Sequence, residues 1–274
     1  MKPEVIEANI EVHTRLAGVY NETEPQFRPE NLAKVRAVLC RLRGECSGGK
    51  LLDIGCGTGF VINLARDLFD EVHGVDVTQA MLDRVDLTSG NVTLHNAPAE
   101  TLPFSDCAFD MVTAYSFLHH TADYLDVVRE VYRVMKPGGI FYVDQDPNKL
   151  FWDAMIGLGS VDGELLPSVV LKGRESVLST EARIERQYGI PQELVRKAEY
   201  SKAILGGFEP RTIEAECLAI GFRKCSVKLD WFLGQAEVMH GQSFEIADHI
   251  ERYLRQIAPL SDHLFKYIQL VCYK

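Results

Sequence analysis

The stretch that decides the fold is Leu51-Leu52-Asp53-Ile54-Gly55-Cys56-Gly57-Thr58-Gly59. Its first half is a short, mostly apolar run typical of a buried strand. Its second half has glycine at alternate positions, and glycines let a backbone turn sharply and approach a ligand closely. Apolar residues at helical spacing follow directly, over residues 60–69. The stretch therefore predicts a strand, a tight ligand-binding turn and a helix in succession.

The alternation of strand and helix continues along the chain. Short apolar runs predict further strands at Val72–Val75, Val92–His95, Phe109–Tyr115, Ile140–Val143, Phe222–Trp231 and Lys266–Tyr273. Strands that alternate with helices predict an α/β fold, a mostly parallel sheet with helices on both faces. Ligands of such sheets bind at the carboxyl ends of the strands. We therefore expect the functional site at that edge of the sheet.

The remaining segments have helical patterns and divide the chain. Residues 1–44 are predicted to form an N-terminal helical lid. Residues 45–146 and 210–274 are assigned to the sheet domain. Residues 147–209 are predicted to be a helical cap insertion, joined by part of 234–262. The caps contain no motif of their own, so the sequence does not identify the substrate that they would select.

Two carboxylates narrow the class of ligand. A dinucleotide fingerprint would place its third glycine at position 60, which is Phe60. Asp53, two positions before the first glycine, gives a pyrophosphate no advantage but suits a ligand with a positively charged end. Asp76 follows the second strand, 21 residues after Gly55, where a carboxylate accepts hydrogen bonds from ribose hydroxyls. The pattern favours a ligand with a ribose and a cationic end.

These features resemble class I S-adenosylmethionine-dependent methyltransferases, particularly the small-molecule branch that includes ubiquinone and menaquinone biosynthesis enzymes. Six pieces match in order: Leu51–Phe60, Val72–Asp76, Ala97–Phe104, Phe109–Val112, Leu118–His120 and Glu130–Gly139. The resemblance implies a Rossmann-like sheet of seven strands with an antiparallel last strand. It also implies S-adenosyl-L-methionine as cofactor, with S-adenosyl-L-homocysteine as product.

The resemblance assigns the methionine and ribose contacts to individual residues. Gly55, Cys56 and Gly57 would present their backbone to the methionine part, with Asp53 near its ammonium. Asp76 would hold the ribose hydroxyls. The backbone carbonyl of Tyr115 would also meet the ammonium.

The adenine contacts follow from the same resemblance. Val77 and Met81 would pack on the ring, and the backbone N–H of Ala99 would meet a ring nitrogen. Many relatives have aspartate where this chain has Pro98, and proline cannot accept from the adenine amino group. Glu100 or a main-chain carbonyl is expected to substitute. Pro98 keeps its place in the predicted cofactor site.

Residues for the transfer step are less clearly marked. His119 and His120 follow the fourth predicted strand, and Tyr20 lies in the lid; these three are the catalytic candidates, against the alternative that the histidines are structural. Tyr20 and Arg28 are expected to close over the cofactor or to pack on the surface. Four aromatic residues are candidates for either an acceptor pocket or the cap core: Phe151, Trp152, Trp231 and Phe232.

Composition excludes several classes of protein. Lys and Arg total 29 and Asp and Glu total 39, for a net charge of −10, which disfavours nucleic acid because that partner needs clustered cations. The seven cysteines are odd in number and form no C-x-x-C pair, so we expect reduced thiols, no metal site and a cytoplasmic protein. No apolar stretch reaches membrane-spanning length. A monomer or a homodimer without a membrane partner is expected.

The sequence hypothesis is methyl transfer by in-line displacement to a small-molecule oxygen, nitrogen or carbon nucleophile. A nicotinamide-dependent oxidoreductase is disfavoured by Phe60 and Asp53. A cofactor-binding but catalytically silent relative, or a methyltransferase for protein or nucleic acid, stays open as an alternative.

Overall fold

A seven-stranded sheet organises the molecule. The structure is a computed structural model that describes residues 2–274. The strands are β1 (Lys50–Ile54), β2 (Glu71–Asp76), β3 (Val92–Asn96), β4 (Phe109–Tyr115), β5 (Met135–Pro147), β6 (Lys224–Phe232) and β7 (Phe265–Tyr273). Their order is β3-β2-β1-β4-β5-β7-β6, and β7 runs antiparallel to both of its neighbours while β1 to β5 are parallel. The predicted Rossmann-like sheet with an antiparallel last strand is confirmed.

Fourteen α-helices are found in the described part of the chain. The first six are α1 (Pro3–Leu16), α2 (Tyr20–Thr23), α3 (Pro29–Glu45), α4 (Phe60–Ala65), α5 (Gln79–Leu82) and α6 (Tyr124–Val134). The insertion after β5 contains α7 (Lys149–Gly157), α8 (Ser168–Leu178), α9 (Thr180–Tyr188), α10 (Gln192–Ala198) and α11 (Tyr200–Leu205). The last three are α12 (Pro210–Ile220), α13 (Gln235–Gly241) and α14 (Phe244–Gln256). Within residues 2–274, no helix has both the length and the apolar character that a membrane span requires.

The sheet is covered on both faces, which explains its continuous apolar strands. Successive residues of β1 point to opposite faces, so Leu51 packs in the cluster of α3 and α4 while Leu52 packs in the cluster of α6 and α12. Every residue of β4 is buried. Burial on both faces is typical of parallel strands between helical layers.

The N-terminal segment divides between two parts of the structure. Helix α1 packs Ala8 and Val12 against Ile190 and Val195 of the insertion. Helix α3 instead packs on the sheet, where Leu39 is fully buried. Within residues 1–44, the apolar faces of these two helices therefore pack on different partners. The predicted domain division stays a prediction.

Three sulfur atoms come together in the core beneath α12. Cys225 and Cys272 face each other across β6 and β7 and are joined in a disulfide. The Cys217 sulfur lies within 4.8 Å of both. The expectation of reduced thiols throughout is wrong for this pair, because strand register brings together cysteines that are 47 residues apart. The spacing of the cysteines along the sequence does not predict this pairing.

Candidate active site

The glycine loop joins β1 to α4 at the carboxyl end of the sheet. Gly55, Gly57 and Gly59 all have positive φ, at 63°, 52° and 85°, a region that glycine enters without a steric penalty. Gly55 is also crowded, because an added Cβ would lie 2.0 Å from the Phe117 ring. The loop therefore requires glycine at this position for two independent reasons.

Replacement of Gly55 by alanine should destabilise the fold more than the same change at a roomy turn. Gly90 is the matched control, since its φ is 76° and nothing lies within 4 Å of an added Cβ. We expect Gly55→Ala to lower the free energy of unfolding by about 1–3 kcal/mol more than Gly90→Ala. Urea unfolding of both variants measures the difference. Equal losses would contradict the close approach of the Phe117 ring to this position.

Asp76 lies at the end of β2 and braces the loop. Its Oδ2 accepts from the Gly57 N–H at 2.9 Å, and its Oδ1 accepts from the Thr78 N–H at 2.8 Å. Each carboxylate oxygen has a second lone pair available. The half-buried carboxylate thus orients the loop and keeps acceptor capacity toward the adjacent cavity.

Asp53 is a buried carboxylate without a cationic partner among residues 2–274. Its side chain is 2% exposed and accepts a hydrogen bond from Thr113 Oγ1 at 2.7 Å. The pKa of Asp53 is raised to about 7, mainly by burial; the Thr113 hydrogen bond opposes the rise and the nearby charge of Asp76 adds to it. A positively charged ligand group would relieve this cost, because it favours the ionised form.

A first cavity lies along the loop. It is lined by eleven of the predicted cofactor residues: Tyr20, Asp53, Gly55, Cys56, Gly57, Asp76, Val77, Met81, Ala99, Glu100 and Tyr115. Pro98 does not line it. The sequence interpretation missed others that do: Val5, Ile6, Asn9, Gln26, Thr58, Ser116 and Phe117. Thr58 is inside the glycine motif, whereas the N-terminal residues had no signal beyond their place in a lid.

A second cavity of about 410 Å³ lies beside the first. Five residues line both cavities: His13, Tyr20, Gln26, Ser116 and His120. The cap contributes Trp152 and Arg183 to the second cavity, and Arg28, Trp231 and Phe232 line it as well. Phe151 is instead fully buried in the cap core.

The lining of the second cavity combines aromatic residues with acidic and basic residues. Glu199 pairs with Lys202, whereas the Glu24 carboxylate has no ion-pair partner among residues 2–274. Burial raises the pKa of Glu24, and the charge of Glu199 raises it further. The cavity therefore suits a polar molecule better than a purely apolar one.

The two histidines of the fifth matching piece, Leu118–His120, are held differently. His119 Nδ1 lies 2.7 Å from Asp146 Oδ1, and His119 lines the second cavity. His120 Nδ1 donates to the Ala198 carbonyl at 3.0 Å, and His120 lines both cavities. Burial holds the pKa of His120 well below its usual range, with neighbouring His119 and His13 lowering it further. His120 is therefore a neutral ring at physiological pH.

Burial also keeps the protons on two other side chains that line the first cavity, Tyr20 and Cys56. Burial raises the pKa of Tyr20, and the charge of Glu24 adds to the effect. Burial likewise raises the pKa of the Cys56 thiol well above its usual value. At neutral pH, Tyr20 is a hydrogen-bond donor and not a base, and Cys56 is not a thiolate.

Comparison with known proteins reaches the same region of the chain. A family model described as "Methyltransferase domain" matches residues 52–143, which include the glycine loop, Asp76 and both histidines. Residues 52–143 are a class I S-adenosylmethionine-dependent methyltransferase domain. The resemblance proposed from the sequence is thereby confirmed.

Curated relatives match over the same part. A protein of Mycolicibacterium smegmatis named "Probable S-adenosylmethionine-dependent methyltransferase" is 31% identical over 130 residues, which is 47% of this chain and 50% of the relative. A demethylmenaquinone methyltransferase of Listeria monocytogenes is 41% identical over 114 residues, 39% of this chain and 48% of the relative. The chain thus spans about half the length of the curated relatives that it matches.

Solved structures extend the similarity of fold beyond the methyltransferase domain. The YcgJ protein of Bacillus subtilis aligns over 88% of this chain and 98% of its own, with a TM-score of 0.53 and 18% identity. An N-methyltransferase of Haemonchus contortus, solved with S-adenosylhomocysteine, aligns over 95% of this chain and 56% of its own, with a TM-score of 0.56 and 18% identity. At these identities the alignments support the fold alone.

Proposed function

We propose that this protein is an S-adenosylmethionine-dependent methyltransferase that transfers a methyl group by in-line displacement to a small-molecule acceptor. The observation that carries the proposal is the pair of adjoining cavities. The first is lined by the methyltransferase motifs, and the second is lined largely by the cap together with the N-terminal segment. Adjoining sites for donor and acceptor are what a direct transfer between two bound molecules requires.

The residues of the first cavity fit the cofactor. Asp53, buried and without a cationic partner among residues 2–274, would pair with the ammonium group. Asp76 has acceptor capacity for the ribose hydroxyls. Gly55 and Gly57 leave space for the methionine part, and the Tyr115 carbonyl would contact the same ammonium.

Adenine recognition falls to another part of the same cavity. Val77 and Met81 would pack on the ring, and the Ala99 N–H would meet a ring nitrogen. Glu100 lines the cavity whereas Pro98 does not. This supports Glu100, or a main-chain carbonyl, as the acceptor for the adenine amino group.

The chemistry asked of the protein is limited. S-adenosylmethionine, when bound, supplies a methyl group already activated by its sulfonium. The chain's own residues must hold the nucleophile in line and exclude water. Tyr20 and Gln26, which line both cavities, lie at the junction where this alignment takes place.

The second cavity supports a small acceptor over a polymer. Its lining comes from α1, the segment around residues 24–31 and the cap, which together surround the space from several sides. The net charge of −10 also opposes attraction of a nucleic acid. A protein or nucleic-acid acceptor, or a silent cofactor-binding protein, becomes an outcome of the test.

Two measurements test the proposal in sequence. Calorimetric titration is expected to give S-adenosylmethionine binding in the micromolar range or tighter, whereas reduced nicotinamide cofactor should not bind. Labelled methyl donor, incubated with the protein and pooled small metabolites, should then yield a labelled product. Absence of cofactor binding would overturn the proposal. Binding without transfer to any pool would favour the silent relative, and label found only in protein or nucleic acid would replace the small acceptor.

A further inference from the structure

A bulge in β5 changes the direction of one acidic side chain. Gln145 has φ of 64°, a rare conformation for a residue other than glycine. The register with β7 passes from Asp144 opposite Gln269 to Asp146 opposite Ile268, so one extra residue is inserted. Consecutive β7 residues point to opposite faces. Asp144 and Asp146 therefore also point to opposite faces, although they are two positions apart in sequence and would share a face in a regular strand.

The two aspartates serve different neighbours as a result. Asp144 Oδ2 accepts from Tyr142 Oη at 2.5 Å and from Gln269 Nε2 at 2.8 Å. Asp146 Oδ1 instead accepts from the His119 backbone N–H at 3.0 Å and lies 2.7 Å from His119 Nδ1. Bulges often re-aim a side chain next to an active site. Here the bulge directs a fully buried carboxylate at a histidine of the second cavity.

This contact decides which nitrogen of His119 carries the proton. An ionised carboxylate can only accept hydrogen bonds, so Nδ1 carries the hydrogen and Nε2 keeps its lone pair. Among residues 2–274, no hydrogen bond engages His119 Nε2. Asp146 Oδ2 is fully buried without a hydrogen-bond partner, but His119 Nε2 is not enclosed in this way. The basic nitrogen of His119 is thus the one left available on the wall of the second cavity.

His120 does not offer the same arrangement. Its Nδ1 donates to the neutral Ala198 carbonyl, and no carboxylate hydrogen-bonds to it. A protonated His120 would be buried without a directly bonded counter-charge. A protonated His119 would be stabilised by Asp146, in the way that an orienting carboxylate stabilises a catalytic imidazolium.

We propose that His119 is the general base of the transfer and that Asp146 is its positioning residue. The inference rests on the proposed function. It names the acceptor class as small molecules whose nucleophile must shed an O–H or N–H proton. That proton moves to His119 Nε2, while the nucleophile's electron pair forms the new bond to the methyl carbon and the C–S electron pair stays on sulfur. The imidazolium then returns the proton to solvent.

The first test needs no acceptor. Nitrogen-15 spectra of histidine-labelled protein, with the His119 signals assigned from His119→Gln, are expected to show a protonated Nδ1 and an unprotonated Nε2 at neutral pH. Diethyl pyrocarbonate, which attacks accessible unprotonated imidazole nitrogen, should modify His119 in protein saturated with S-adenosylhomocysteine. A protonated Nε2, or complete protection of His119 in the peptide map, would overturn the proposal.

The second test separates catalysis from folding, using any acceptor that the labelled-donor pools identify. His119→Gln should lower kcat by about 100- to 10,000-fold and Asp146→Asn by at least tenfold, with S-adenosylmethionine affinity within twofold of wild type. The exposed His249, which lines neither cavity, gives the control His249→Gln with unchanged kcat. A His119→Gln variant that keeps more than a tenth of kcat would sink the proposal. Failure of the wild-type protein to bind S-adenosylmethionine would instead reject the proposed function.

Discussion

Replacing Asp76 with alanine is expected to raise the dissociation constant for S-adenosylmethionine by about 100-fold or more. The change removes the acceptor proposed for two ribose hydroxyls, and each hydrogen bond to a charged group contributes about 1.5–3 kcal/mol. It also frees the Gly57 and Thr78 N–H groups, which Asp76 holds at 2.9 and 2.8 Å. Calorimetric titration of the folded variant measures the loss.

The matched control is Asp83→Ala. Asp83 is an exposed aspartate at the end of α5 that accepts from Gln79 Nε2 and lines neither cavity. Its replacement should leave the affinity for S-adenosylmethionine within twofold of wild type. If Asp76→Ala binds as well as this control, Asp76 is not the ribose acceptor.

Replacing Asp53 with asparagine should have opposite effects on stability and on cofactor binding. Burial raises the pKa of Asp53 in the folded protein from 3.8 to about 7. A carboxyl group whose folded pKa is raised contributes stability below the unfolded pKa, and this contribution is lost as pH rises through the folded pKa. The ligand-free wild type should therefore lose stability between about pH 4 and pH 7.

Asparagine removes this loss while it can still accept from Thr113. The pKa difference sets an upper limit of about 4 kcal/mol, so we expect Asp53→Asn to be more stable than wild type at pH 8 by about 2–4 kcal/mol. The same variant should bind S-adenosylmethionine about 10- to 100-fold more weakly, because the ammonium loses its carboxylate. Urea unfolding at pH 5 and pH 8, with calorimetric titration, measures both effects. A stability difference that does not depend on pH would contradict the raised pKa.

Local sequence was sufficient for the cofactor half of the molecule. The run from Leu51 to Gly59 predicted a strand, a turn and a helix, and β1, the glycine loop and α4 follow in that order. Asp53 and Asp76 could be placed at one edge because the carboxyl ends of parallel strands meet there. Their prediction needed only the strand pattern and the spacing between them.

Other parts of the structure depended on contacts that local patterns do not contain. The pattern of residues 1–44 did not indicate that α1 packs on the insertion whereas α3 packs on the sheet. The pairing of Cys225 with Cys272 likewise follows from the register of β6 and β7. Both results depend on which surfaces meet after folding, and the spacing of residues along the chain does not predict these contacts.

The two histidines show most clearly where the boundary lies. Sequence placed His119 and His120 after the fourth strand but had no means of separating their roles. The bulge at Gln145 turns Asp146 toward His119 and leaves His120 with a backbone carbonyl. By itself the sequence determined the fold and the cofactor motifs, because these are properties of short segments with a fixed period. Tertiary structure alone decided which histidine receives a buried carboxylate, because one residue of strand register selects the face on which that carboxylate lies.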